Sequence, residues 1–134
     1  MMKAKLLVIL VTGAMLSTAV AYGHHSFAST YAEDESIEIE GEIVAFMFRN
    51  PHTFVHVMAP DENGEIHRWG VEWGGAGQLG RQGVSRTTLR PGDRVVISGV
   101  PSRNVAVDHR VKMETLRRNS DGFGWGQAPG EVFD

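Results

Sequence analysis

Alternating hydrophobic and polar positions divide the chain after residue 36 into short segments typical of β-strands. Residues 37–48 (IEIEGEIVAFMF) alternate strictly at first and then become apolar on both faces. This pattern predicts a long strand with a bulge or bend at Gly41. Runs rich in β-forming residues predict four more strands, at residues 53–59, 66–73, 94–100 and 105–116, the last of them best defined at 110–116.

Turn signals separate these segments. The pair Asn63-Gly64 suits the positive φ angles of a tight hairpin turn, and Pro91-Gly92 predicts a sharp turn before the fourth strand. A short helix is predicted near residues 78–82. Five short strands, a curved first strand and a helical segment between strands three and four predict an all-β fold, a small five-stranded OB-like barrel. An open β-sandwich is the alternative.

The first 23 residues have the pattern of a signal peptide. Lys3 and Lys5 give a positive start, residues 6–21 are almost wholly apolar or small, and small residues lead into a cleavage site. The apolar run is shorter than the about 20 residues that a membrane-spanning helix needs. We therefore expect residues 1–23 to be removed on export, leaving a periplasmic or secreted protein without a membrane anchor.

The mature chain is predicted to have three parts. Residues 24–36 are polar and lack periodicity, which predicts an extended arm lying on the domain. Residues 37–116 form the barrel, and residues 117–134 form a glycine-rich tail, in which glycine weakens regular structure. The tail is either disordered or docked on the barrel through its aromatic residues Phe123, Trp125 and Phe133.

Composition narrows the possible chemistry. The chain has no cysteine, so disulfides, zinc fingers, blue-copper sites and a lipoprotein anchor are excluded. All 16 acidic residues lie in the mature chain of 111 residues, whereas two of the 13 basic residues are removed with the signal peptide, so the mature formal charge is −5. This acidic balance predicts that nucleic acid is not a partner.

The sharpest candidate site is the histidine pair His24-His25 at the signal junction. Cleavage after Ala21 would place a histidine third in the mature chain, where an amine, two amides and an imidazole bind Cu(II) or Ni(II) in a square plane. Cleavage after Gly23 would place His24 first, so that its amine and imidazole could chelate copper with one more imidazole from the barrel. Both interpretations predict copper, in different geometries.

His52 is predicted to supply that barrel imidazole, because it lies at a strand start beside a turn; a structural hydrogen bond to the turn is its alternative. His56 shares its strand face but lies about 13 Å away, too far to share one metal. Three interpretations of Glu72 are open: it binds the metal, its carboxylate orients an imidazole, or it is a surface charge. The pattern favours the surface charge. His56 and His67 are predicted to be solvent-facing or packed strand residues, and His109 is assigned no role.

Several motifs together resemble one family. They are HHSF at 24–27, NPH at 50–52, the segment from Trp69 to Glu72 and LRPGDRVVISG at 89–99. In this combination the chain is similar to an uncharacterised family of exported bacterial proteins, a domain of unknown function. The resemblance covers about residues 24–100, and the chain departs from it at the glycine-rich segment 74–77 and after residue 117. It implies the small β architecture and draws attention to His24, His25 and His52, but it implies no activity.

We expect a binding protein and not an enzyme, because the sequence contains no nucleophile elbow or other catalytic constellation. The first hypothesis is that it holds copper, or another late divalent metal, through His24, His25 and His52, with Glu72 as a possible further ligand. The second is a metal-free module that contacts a protein partner or small ligand through the barrel face or the aromatic tail.

Overall fold

A computed structural model describes residues 29–126 of the chain. The predicted signal peptide at 1–23, the histidine pair at 24 and 25, and the last part of the tail at 127–134 lie outside the described residues. Between 29 and 126, no helix is both long and apolar enough to cross a membrane. The elements are β1 (Ile37–Met47), β2 (Phe54–Pro60), β3 (Ile66–Glu72), α1 (Ala76–Arg81), β4 (Arg94–Pro101), a 3-10 helix (Val105–Val107), β5 (Arg110–Arg118) and β6 (Gly124–Trp125).

The first five strands close into a barrel. β1 pairs antiparallel with both β2 and β4, β2 pairs with β3, and β4 pairs with β5, all antiparallel. The parallel pairing of β3 with β5, from Gly70↔Arg110 to Glu72↔Lys112, completes the ring. The predicted five-stranded OB-like barrel is confirmed, with its helix between β3 and β4, and the open sandwich is wrong. The two-residue strand β6 adds to the outside of β5.

β1 contains a bulge and, at a different position, a close approach to β2. The register with β2 shifts between Ile43 and Ala45, so the bulge lies there and not at the predicted Gly41. Gly41 has a different role, because a Cβ atom added to it would overlap the backbone carbonyl oxygen of Met58. The glycine therefore allows the backbones of β1 and β2 to approach closely at this position.

The inward faces of the strands fill the barrel. Ile43, Val55 and Ile97 are completely buried, as expected for alternate positions of strands that face a common core. The helix α1, which begins two residues before the predicted segment, inserts Leu79 into this core. The core is thus continuous from the strands to the helix that covers part of the barrel.

The tail docks on the barrel as far as residue 126. β5 runs to Arg118, two residues beyond the predicted end of the barrel. Phe123 and Trp125 are half-buried against the core, and the Trp125 ring meets the Trp73 ring edge-on with centroids 5.1 Å apart. The Trp125 indole N–H also donates a hydrogen bond of 2.9 Å to Gln82. Between the two interpretations of the tail, the structure selects docking for the described residues.

Replacing Trp125 by alanine is therefore expected to lower the free energy of unfolding by about 2 kcal/mol, less than for a fully buried aromatic residue. Urea denaturation of the mature protein measures this change. Trp125→Phe is the matched control, because it keeps a ring against Trp73 and removes the hydrogen bond to Gln82, which should lower stability by about 1 kcal/mol. A Trp125→Ala variant as stable as the wild type would show that the tail does not dock in solution.

Candidate functional site

Glu72, the last residue of β3, is buried, with only 8% of its surface exposed. The interpretation of Glu72 as a surface charge is therefore wrong. The sequence favoured the surface interpretation, but the parallel pairing of β3 with β5 places Arg110 and Lys112 beside the end of β3. Tertiary packing thus covers a position that is open when β3 is considered alone.

Both carboxylate oxygens of Glu72 have partners. Oε2 accepts hydrogen bonds from the Tyr31 hydroxyl and from Nη2 of Arg110, the latter 2.7 Å long. Nε of Arg110 also donates to the Tyr31 hydroxyl at 3.1 Å. Oε1 lies 3.1 Å from Nδ1 of His52. Glu72 is therefore the centre of a four-residue network, to which the segment before β1, the turn before β2 and the start of β5 each contribute one side chain.

The charge state of this network follows from its contacts. Burial would raise the pKa of Glu72, but hydrogen bonds from Tyr31 and Arg110 and the charges of Arg110 and His52 together lower it below its ordinary value. The pKa of Tyr31 is strongly raised, first by burial and then by Glu72. The carboxylate is therefore ionised at neutral pH, and the tyrosine hydroxyl stays protonated and donates to it.

The backbone on either side holds this network in place. Tyr31 forms a bridge with Ser102, next to a hydrogen bond of 2.9 Å from Ala32 N–H to the Pro101 carbonyl. His52 follows the turn that contains a cis Asn50–Pro51 peptide bond. Its neighbour Thr53 exchanges backbone hydrogen bonds of 3.0 and 2.8 Å with residues 74 and 73. The His52 side chain is 40% exposed, so the network opens to solvent at this histidine.

Of the four predicted site residues, the structure brings together His52 and Glu72. His24 and His25 lie outside the described residues. Sequence reasoning missed Tyr31 and Arg110, which lie 41 and 38 positions from Glu72. An aromatic residue within the polar segment before β1 was the only local signal for Tyr31, and no local pattern marked Arg110.

A second group of ligand-type side chains lies at the other end of the β2–β3 hairpin. Asp61, His67 and His109 each offer one ligand atom, and these atoms lie within 4.8 Å of one another. The group could hold a metal ion. Sequence reasoning did not single out Asp61 and gave His109 no role, because only the pairing of β3 with β5 brings His109 to the hairpin.

A third feature is an outward surface around Phe54 at the start of β2. The guanidinium carbons of Arg49 and Arg110 lie 5.8 and 5.5 Å from the centroid of the Phe54 ring. His56 stacks beside this ring, and its pKa is lowered by burial and by the charges of Arg68 and Arg49. This surface is locally basic although the chain as a whole is acidic.

Among solved structures, the chain is similar to the mitochondrial single-stranded DNA-binding protein Rim1 of S. cerevisiae. The two share 12% identity, with a TM-score of 0.47, over 66% of this chain and 96% of that one. Our prediction that nucleic acid is not a partner is wrong, because it rested on the net charge of the whole chain, which does not exclude a local binding surface. Net charge averages over the whole surface and misses the basic area around Phe54. The likeness does not itself assign nucleic-acid binding to this chain.

No curated protein matches the chain. A family defined by sequence does match it, over residues 12–109, a span that includes the histidine pair, His52, Glu72 and all three residues of the second group. This match confirms the resemblance to an uncharacterised domain. The chain belongs to the family of unknown function DUF6152.

Proposed function

We propose that this protein is an exported, non-enzymatic binding protein that holds Cu(II), or another late divalent ion, through His24, His25 and His52. In this proposal Glu72 orients the ring of His52. The observation that carries the proposal is the contact of 3.1 Å between Nδ1 of His52 and the buried carboxylate of Glu72.

Imidazoles that bind metals commonly donate their other ring N–H to a carboxylate, which sets the tautomer, fixes the ring and raises the basicity of the ligand nitrogen. With the proton of His52 on Nδ1, the lone pair is on Nε2, the nitrogen that a metal would take. Glu72 is well suited to this positioning role, because it is ionised and is itself held by Arg110 and Tyr31.

The contribution of His24 and His25 rests on the sequence. His25 precedes Tyr31 by six positions, and six residues of extended chain span at most about 20 Å. The proposal requires this segment to bring the two histidines to His52, which shares the network around Glu72 with Tyr31. Signal cleavage supplies the free amine that either copper geometry requires.

The experiment is isothermal titration of correctly processed protein, its N-terminus established by sequencing, with Cu(II). We expect His52→Ala to weaken binding at least tenfold, and Glu72→Gln to weaken it by about 10- to 100-fold, the range for carboxylates that orient a ligand histidine. His56→Ala is the matched control and should leave the affinity unchanged. Wild-type binding no tighter than that of the His24→Ala/His25→Ala variant would remove the proposal.

The basic surface around Phe54 favours a second candidate, a metal-free interaction module. Two guanidinium groups beside one aromatic ring are suited to an anionic or aromatic ligand. Its aromatic-tail version loses support, since Phe123 and Trp125 pack against the core. Complementation of a deletion strain separates the two candidates. The module is favoured if an Arg49→Ala/Phe54→Ala variant fails to complement the strain and a variant lacking the three histidines complements it fully.

A further inference from the structure

We infer a second metal site, formed by Asp61, His67 and His109, that takes a late divalent cation of the zinc type. It is separate from the site proposed at His52. His67 and Glu72 are five residues apart on β3, which places them about 16 Å apart along the strand. One ion therefore cannot serve both groups.

The carboxylate of the site is held by its own hairpin turn. Oδ1 of Asp61 accepts backbone N–H bonds from Asn63 and Glu65, at 2.8 and 2.9 Å. This leaves Oδ2 facing Nε2 of His67 at 3.0 Å. The oxygen ligand is thus fixed before any metal binds.

Backbone and ring contacts place the two imidazoles next to each other. The His109 backbone is in the left-handed region, with φ 59°, and its carbonyl accepts a hydrogen bond of 2.8 Å from Gly70 N–H. Its ring lies edge-on to Trp69 at 4.7 Å and face to face with His67 at 3.9 Å. Trp69 is buried and its indole donates to the Ala59 carbonyl, so it forms a firm base for the site.

The surroundings favour a cation. Beside the site is a cleft of about 690 Å³ between the start of β1 and the β2–β3 hairpin. No lysine or arginine is among the described residues that line this cleft, whereas five of its lining residues are carboxylates: Glu38, Glu40, Asp61, Glu62 and Asp108. A concave surface of one sign concentrates counter-ions, so the cleft raises the local concentration of cations at the ligand group.

The donor set selects the class of metal. Two imidazole nitrogens and one carboxylate oxygen suit zinc and its neighbours, whereas calcium and magnesium prefer oxygen ligands throughout. Around tetrahedral zinc the ligand atoms lie about 3.3 Å apart, since each is about 2 Å from the metal. The ligand atoms must therefore close by at most about 1.5 Å, so we expect one of the stacked rings to rotate when the metal binds while its backbone stays in place. Three protein ligands leave the fourth position to water or to a small ligand from the cleft.

Zinc titration of the mature protein, followed by calorimetry and by the rise in Tm, tests this site. The variants are Asp61→Asn, His67→Gln and His109→Asn, the last chosen because asparagine tolerates the left-handed backbone. Each is expected to weaken zinc binding at least tenfold and to reduce the rise in Tm. His52→Ala and His56→Ala are the controls and should keep this zinc site intact, which distinguishes its failure from failure of the copper proposal.

Nuclear magnetic resonance of the imidazole nitrogens gives a readout that does not depend on the variants folding. In the wild-type protein, one equivalent of zinc should shift ring-nitrogen signals of His67 and His109, with the signals of His56 unchanged. Zinc that leaves both sets of ring signals in place, or that binds a His67→Gln/His109→Asn variant as tightly as the wild type, would overturn the inference.

Discussion

Replacement of Glu72 by glutamine is expected to lower the free energy of unfolding by about 2 to 3 kcal/mol, the order found when a hydrogen bond to a charged group is lost. The side chain keeps its volume but loses its charge. Arg110 is then left without its counter-ion, and Tyr31 and His52 lose the anionic acceptor that both now contact. The large effect arises because one carboxylate satisfies three neighbours.

Urea denaturation at pH 7 measures this change, with Glu42→Gln as the matched control. Glu42 is an exposed residue of β1, so its replacement should alter stability by no more than about 0.5 kcal/mol. If the two variants were equally stable, the network would contribute nothing beyond a surface charge. Circular dichroism of the Glu72→Gln variant would establish that the barrel still forms.

The same substitution should change how stability depends on pH. The pKa of Glu72 is lowered in the folded protein, so its stabilising contribution is complete above the ordinary glutamate pKa of about 4.3. It is lost as the pH falls through the lowered folded value, because protonation removes the anion that Arg110 and His52 contact. We expect the stability difference between wild type and Glu72→Gln to be constant at neutral pH and to shrink below pH 4. A difference that grew on acidification would contradict this sign.

Replacement of Gly41 by alanine is the second change with a large expected effect, a loss of about 3 kcal/mol or more. The added methyl group would overlap the carbonyl oxygen of Met58 and press on the side chain of Ala59. Both belong to β2, and the carbonyl is backbone, so relief requires β2 to move away from β1. Since β2 pairs with both β1 and β3, this movement strains the hydrogen bonds of both pairings.

Gly80→Ala is the matched control, because an added Cβ at Gly80 would meet nothing within 4 Å. This residue lies in α1, where alanine is favoured over glycine by up to about 1 kcal/mol, so the variant should be as stable as the wild type or more so. Thermal unfolding of both variants makes the comparison. A Gly41→Ala protein as stable as Gly80→Ala would mean that the two strands do not approach closely in solution.

The strands were predictable because each carries its pattern locally. β2 and β3 are rich in β-branched and aromatic residues and lie between clear turn signals, and their observed ends differ from the predicted ones by at most one residue. The bulge of β1 was placed wrongly because glycine marks both bulges and close backbone approaches, and the sequence does not distinguish them. The pairing partner β2, with Met58 opposite Glu42, decides which of the two applies at Gly41.

The site was only partly predictable. His52 stood out because it lies at a strand start beside a turn, and it does contact Glu72. The burial of Glu72 was not predictable, because it depends on Tyr31 and Arg110, which are distant in sequence. The second group was missed for the same reason, since His109 meets Asp61 and His67 only in the folded barrel.

The amino-acid sequence alone determined the strands, their turns, the helix between β3 and β4 and the absence of any thiolate ligand, because each depends on a residue's type and its near neighbours. Only the tertiary structure decided which polar side chains share a site. The physical reason is that the barrel closes by parallel pairing of β3 with β5, segments about 40 residues apart in the chain. Neither strand has a sequence pattern that indicates this pairing. That closure brings Arg110 to Glu72 and His109 to His67.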